Sequence, residues 1–106
     1  MPTAEKRLQR RGFQRIGLGG NCDGWAREIG AYASVARKGR YFCGFRGQGA
    51  ATLVITTPDA PTAPESLTDA VAVVVYGDFG AEGERVLFED TFPSLAYALR
   101  CMRLDA

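Results

Sequence analysis

The apolar residues of this chain change their spacing along its length, and the changes mark out the elements. Ala51 to Thr57 (ATLVITT) is rich in β-branched residues and predicts a strand. Ala70 to Tyr76 (AVAVVVY) is the most apolar run and predicts a central strand buried on both faces. After a turn rich in glycine and acids at Gly77 to Gly83, Arg85 to Glu89 sets Val86 and Phe88 against Arg85, Leu87 and Glu89, as a hairpin partner strand does. Pro93 and Ser94 then open a helix whose Leu95, Ala98, Leu99 and Met102 form one apolar stripe, with Arg100 and Arg103 near the end where cations complement the helix dipole. Between the strands, residues 58–69 hold Pro58, Pro61 and Pro64 and predict an extended loop.

The first half is less regular. Residues 3–11 read as a short helix capped by Thr3 and ended by Gly12, but with Leu8 as its one large apolar residue it is expected to be a solvated, loosely attached or partner-binding segment over 1–12. Phe13 to Leu18 predicts a short strand, broken by Gly17, Gly19 and Gly20. Residues 23–38 admit two readings. Trp25, Ile29, Tyr32 and Ala36 recur at helical spacing before Gly39, and this favours a second helix, although Gly24 and Gly30 would each cost it about 1 kcal/mol. The alternative is a hairpin about Lys38-Gly39 that pairs 32–37 with 40–45. Tyr41 to Phe45 reads as a strand, and the link Gly47-Gln48-Gly49 would make it the neighbour of 51–57.

The implied fold is α+β: an antiparallel sheet of four to five strands packed by a C-terminal amphipathic helix, with a helix or hairpin at 23–38. The 106 residues suit a single domain, and 46% apolar with 24% charged residues is a globular composition. No apolar window approaches the roughly 18 residues of a membrane span, and no signal-peptide core follows Lys6, Arg7, Arg10 and Arg11. Cys22, Cys43 and Cys101 are odd in number and widely spaced, which fits free thiols in a reducing compartment, so a cytoplasmic location is expected.

Charge changes this picture most. Residues 1–46 hold ten Lys/Arg against three Asp/Glu, a net +7; residues 47–106 hold three against nine, a net −6. Two arrangements give such a split: halves that neutralise each other across the fold, or a basic surface set apart for an anionic partner.

Catalytic chemistry is poorly supplied. There is no histidine, so the usual general base and commonest metal ligand are missing, and no C-x-x-C pair offers a zinc site. No catalytic residue, cofactor or metal is therefore expected. Cys22 is the one candidate nucleophile, on the ground that a helix starting at Asp23 would acidify a thiol at its N-terminus. The run Gly17-Leu18-Gly19-Gly20-Asn21-Cys22 has the setting of a phosphate loop but lacks the last glycine of a dinucleotide fingerprint and the Lys-Ser/Thr of a P-loop, so it reads as a tight turn.

Two short stretches resemble known recognition elements. Lys38, Gly39, Phe42 and Phe45 resemble part of the aromatic strand of the RNA-recognition motif, where rings stack on bases and a cation meets phosphate, while Arg40 and Tyr41 depart from it. Pro61-Thr62-Ala63-Pro64 resembles the late-domain tetrapeptide of budding viruses. As a whole the chain resembles in type, without a shared motif, small accessory proteins of phages and mobile elements such as anti-CRISPR inhibitors. That resemblance implies a compact non-enzymatic binding protein and assigns no residue.

The resulting expectation is a binding protein that docks a basic, partly aromatic half on an anionic macromolecule or nucleoprotein, through Arg7, Arg10, Arg11, Arg15, Arg37, Lys38, Arg40 and Arg46 with Trp25 or Tyr41 as anchor. Alternatives are a protein–protein module or homodimer without nucleic-acid contact, and a thiol-dependent enzyme using Cys22.

Overall fold

The computed structural model describes residues 3–30, 33–34, 44–45, 51–59 and 61–101. In chain order the elements are α1 (Thr3–Arg10), β1 (Gln14–Gly19), β2 (Cys22–Gly30), β3 (Ala33–Ser34), β4 (Gly44–Phe45), β5 (Ala51–Thr56), β6 (Val71–Gly77), β7 (Arg85–Phe92) and α2 (Leu95–Cys101). Five of the strands form one antiparallel sheet in the order β1-β2-β5-β6-β7, and β3 pairs with β4 in a separate two-stranded ribbon. The α+β class with an antiparallel sheet is thus the architecture observed.

The largest departure from the sequence reading is β2. Residues 22–30 form a strand, not the first turns of a helix, and pair with β1 through Trp25↔Arg15 and with β5 through Trp25↔Ile55. Helical spacing of Trp25 and Ile29 is outweighed by two ladders of long-range hydrogen bonds, while Gly24 weakens any helix there. Gly24 also has a steric reason to be glycine: a Cβ would lie 2.8 Å from Thr56 Cγ2 and 2.9 Å from the Ile55 carbonyl oxygen. The turn joining β1 to β2 is the two-residue loop Gly20-Asn21 between the paired Gly19 and Cys22, with Gly20 at φ 58°. The hairpin alternative survives in part: Ala33 pairs with Phe45 and Ser34 with Gly44, a register centred on residue 39, and residues 35–43 lie outside the described residues. β4 is not the neighbour of β5, whose partners are β2 and β6.

β6 is also corrected. It lies between β5 and β7, one strand from the edge, and its burial alternates: Val71, Val73 and Val75 are fully buried, while Ala72, Val74 and Tyr76 are half-buried. An apolar run cannot distinguish a strand covered on both faces from one that is apolar on both but covered fully on one. β7 runs to Phe92, further than Glu89, and carries a bulge at Leu87 where the register jumps from Val75↔Phe88 to Tyr76↔Val86.

One face of the sheet carries the core. Trp25, Leu53, Ile55, Val71, Val73, Val75 and Phe92 meet Leu95, Ala98 and Leu99 of α2 and Ala4 and Leu8 of α1 in one buried cluster. Helix α1 is therefore docked, contrary to its expected loose attachment: Ala4 and Leu8, four residues apart, share its inward stripe. Its end has the expected glycine. Gly12, at φ 89°, donates its N–H to the Gln9 carbonyl and Phe13 donates to the Leu8 carbonyl, the double closure of a Schellman cap, with Leu8 and Phe13 both buried.

The proline-rich segment is fixed to this core at several points. The indole Nε1 of Trp25 donates to the Pro64 carbonyl at 3.1 Å, and the Asp23 backbone N–H donates to the Pro61 carbonyl at 3.2 Å. The same segment caps α2: the Asp69 and Leu67 carbonyls accept from the N–H groups of Leu95 and Ala96, and Ser94 Oγ accepts from the N–H of Tyr97. Pro64 is fully buried and Ala63 is 5% exposed, so half of the late-domain-like tetrapeptide is inside the fold.

Gly24→Ala is expected to lower stability by about 1–3 kcal/mol in urea denaturation, since the added methyl strikes β5. Gly17→Ala, where a Cβ meets nothing within 4 Å, should change it by less than about 0.5 kcal/mol.

Candidate functional site

The sheet order sets part of the charge split out in space, although Glu65 and Asp69 of the acidic half line one hollow with Arg15, and Arg37, Lys38, Arg40 and Arg46 lie outside the described residues. β1 and β2 lie at one edge, α1 leads into β1, and residues 3–30 hold six Lys/Arg against three Asp/Glu. β6 and β7 lie at the other, their connection folds over the sheet toward β1 and β2, and residues 70–92 hold Arg85 against Asp78, Glu82, Glu84, Glu89 and Asp90. Four strand spacings of about 4.8 Å put roughly 19 Å between the edge strands, about twice the Debye length in physiological salt. Two ion pairs lie within these edges: Arg15 Nη2 to Asp23 Oδ2, and Arg85 Nη1 to Asp78 Oδ2, each at 2.8 Å. Both join residues of the same edge.

At the basic edge, Arg7, Arg10 and Arg11 occupy the last turns of α1, and the Arg27 side chain runs alongside Gly12, its Nε 3.8 Å from where a Cβ would stand. The C-terminal carbonyls of the helix favour cations there, and Arg11 Nη1 donates to the Arg7 carbonyl at 3.3 Å. Lys6 and Arg10, one turn apart, are exposed, while Arg7 and Arg11 are half-buried.

The remaining predicted positions fall differently. Arg15 is engaged with Asp23. Trp25 is 2% exposed and turned into the core, so its ring belongs to the packing. Arg37, Lys38, Arg40, Tyr41 and Arg46, and with them most of the stretch resembling an RNA-recognition strand, lie outside the described residues.

Asp23 has a role that sequence reading missed. Its carboxylate accepts from Arg15 through Oδ2 and from the Ala63 backbone N–H through Oδ1, at 2.8 Å each, and these hydrogen bonds, Arg15's first, hold its pKa below the ordinary carboxylate value.

The second face of the sheet has no described helix over it. There the β6–β7 connection folds inward, and Phe79 meets Tyr76 with ring centroids 5.0 Å apart. A cleft of about 670 Å³ opens beside them, floored by Leu18, Val54, Ala72 and Val74 and rimmed by Glu84 and Glu89. Burial, then the charges of Glu84 and Glu89, raise the Tyr76 phenol above its usual pKa.

Cys22 lines this same cleft, half-buried at the start of β2. The helix that would have activated it does not exist, because residues 22–30 are a strand. Among the described residues no three His, Cys, Asp or Glu side chains converge as a metal site, and no helix is long and apolar enough to cross a membrane. No family model, curated protein or solved structure matches the chain.

Because Asp23 binds its proton less tightly folded than unfolded, its contribution to stability is complete above the ordinary carboxylate range and is lost as pH falls through the folded pKa. The stability difference between the wild-type protein and Asp23→Asn, measured by urea denaturation, should be constant above about pH 5 and shrink steadily below about pH 4.

Proposed function

We propose that this is a non-enzymatic binding protein that docks its α1 edge on an anionic macromolecular surface, nucleic acid or nucleoprotein. The observation that carries the reading is the clustering of cations on α1: Lys6, Arg7, Arg10 and Arg11 fall within two turns, and Lys6 and Arg10 are exposed one turn apart. Arg7, Arg10, Arg11 and Lys6 supply the contact, with Arg27 behind them. An inhibitor or regulator of a nucleoprotein machine, as small phage and mobile-element proteins are, is the form this reading takes. A short rigid helix bearing cations one turn apart can follow a phosphate backbone without reading bases.

A second reading, a protein–protein module or homodimer, draws on edge strand β7, where Val86 is 54% exposed. It predicts a mass that rises with concentration and survives nuclease treatment.

Binding to a 20-base-pair duplex, followed by fluorescence anisotropy, should weaken about linearly in log affinity against log salt, with a slope of roughly −0.9 per phosphate contacted. The double variant Lys6→Ala and Arg10→Ala should reduce that slope by about two and weaken binding at low salt by at least about tenfold. Glu82→Gln, on the β6–β7 connection, should leave it unchanged. Salt-independent binding, or an unchanged slope in the double variant, would contradict the reading.

A further inference from the structure

The cleft on the second sheet face includes none of the described cations of α1, β1 and β2 in its lining and has a chemistry of its own. Its floor is aliphatic: Leu18 from β1, Val54 from β5 and Val74 from β6. One end is walled by the rings of Tyr76 and Phe79, tilted 40° to each other, and the carboxylates of Glu84 and Glu89 line the same cleft. Glu84 is held in place, its Oε1 accepting the Gly80 N–H at 2.8 Å. Glu89 sits on this face because it pairs with Val74 in the register. No Lys or Arg lines the cleft among the described residues.

An apolar trough that ends in two rings and two carboxylates suits a group with a long aliphatic stem and a positive end. A phosphate or carboxylate ligand would meet like charge, and a neutral apolar ligand would use the floor but gain nothing from the exposed carboxylates. A cation satisfies both ends: the ring faces attract it and the carboxylates pair with it. Lysine and arginine side chains have this shape, and leucine-like neighbours would cover the rest of the floor.

We propose that this cleft receives a basic, aliphatic segment of a partner protein, its apolar side chains on Leu18, Ala72 and Val74 and one Lys or Arg between the Tyr76–Phe79 rings and the carboxylates of Glu84 and Glu89. The protein then has two docking surfaces of opposite preference, one for an anionic macromolecule and one for a cationic peptide, and can hold the two together. This second surface does not depend on the first.

The test uses the full chain and the acetylated, amidated pentapeptide Leu-Lys-Leu-Lys-Leu, with Leu-Gln-Leu-Gln-Leu as the neutral counterpart. In methyl and aromatic NMR spectra the lysine peptide should shift Ala72, Val74 and Tyr76, and it should slow alkylation of Cys22, mapped by mass spectrometry. The double variant Glu84→Gln and Glu89→Gln keeps the acceptor that Gly80 needs. It should bind the lysine peptide at least about tenfold more weakly, as loss of a charge-assisted contact requires. Phe79→Ala should weaken binding with the fold intact by circular dichroism. Equal affinity for the two peptides, shifts confined to other residues, or shifts reproduced by raising the protein concentration alone, which would mean that a second copy fills the cleft, each overturn the proposal.

Discussion

The hydrogen bond from the Trp25 indole to the Pro64 carbonyl joins the three parts of this fold that cannot stand alone. A seven-residue helix such as α2 is too short to be stable by itself and leaves its first N–H groups without intrahelical partners. Those groups find acceptors only because the proline-rich segment holds the Leu67 and Asp69 carbonyls over them. The segment is held there by β2, through Trp25 and through Asp23 with its Arg15 partner. The same indole fills the core face beside Leu53 and Ile55, so one side chain supplies both apolar burial and the polar contact that fixes the loop. Truncating it would leave a buried carbonyl without its donor as well as a cavity.

The antiparallel order has an electrostatic consequence as well as a structural one. A chain whose first half is basic and second half acidic could fold with the halves interleaved, and most of its charge would then cancel. Here β1 and β2 lie together at one side and β6 and β7 at the other, with β5 between them. Arg15 and Arg27 on β1 and β2 are thereby set across the sheet from Glu89 and Asp90 on β7. The field of such a molecule orients it toward a charged partner before contact.

Much of the second half was legible from local pattern. ATLVITT, AVAVVVY and the stripe Leu95, Ala98 and Leu99 became β5, β6 and α2, and Gly12 took the left-handed cap that its place after α1 implied. β2 was not legible as a strand, because Trp25 and Ile29 fit a helical period and the ladders that override it come from residues far along the chain. A local signal for it did exist: Gly20-Asn21 between two short runs is a two-residue hairpin loop, which fixes β1 against β2. Asp23 escaped notice because its partners, Arg15 and Ala63, are brought to it by the fold. The cleft was equally invisible, since Leu18, Val54, Val74, Phe79 and Glu89 share no motif.

The sequence by itself determined the α+β class, the strands of the second half, the helix ends at Gly12 and Ser94, and the existence of two oppositely charged halves, because each rests on residues close together in the chain. Only the tertiary structure decided that 22–30 is a strand, that α1 is docked through Ala4 and Leu8, and that Arg15 and Arg27 on β1 and β2 stand across the sheet from Glu89 and Asp90 on β7. Those outcomes depend on which distant segments share hydrogen bonds and buried surface, and local spacing carries no record of that choice.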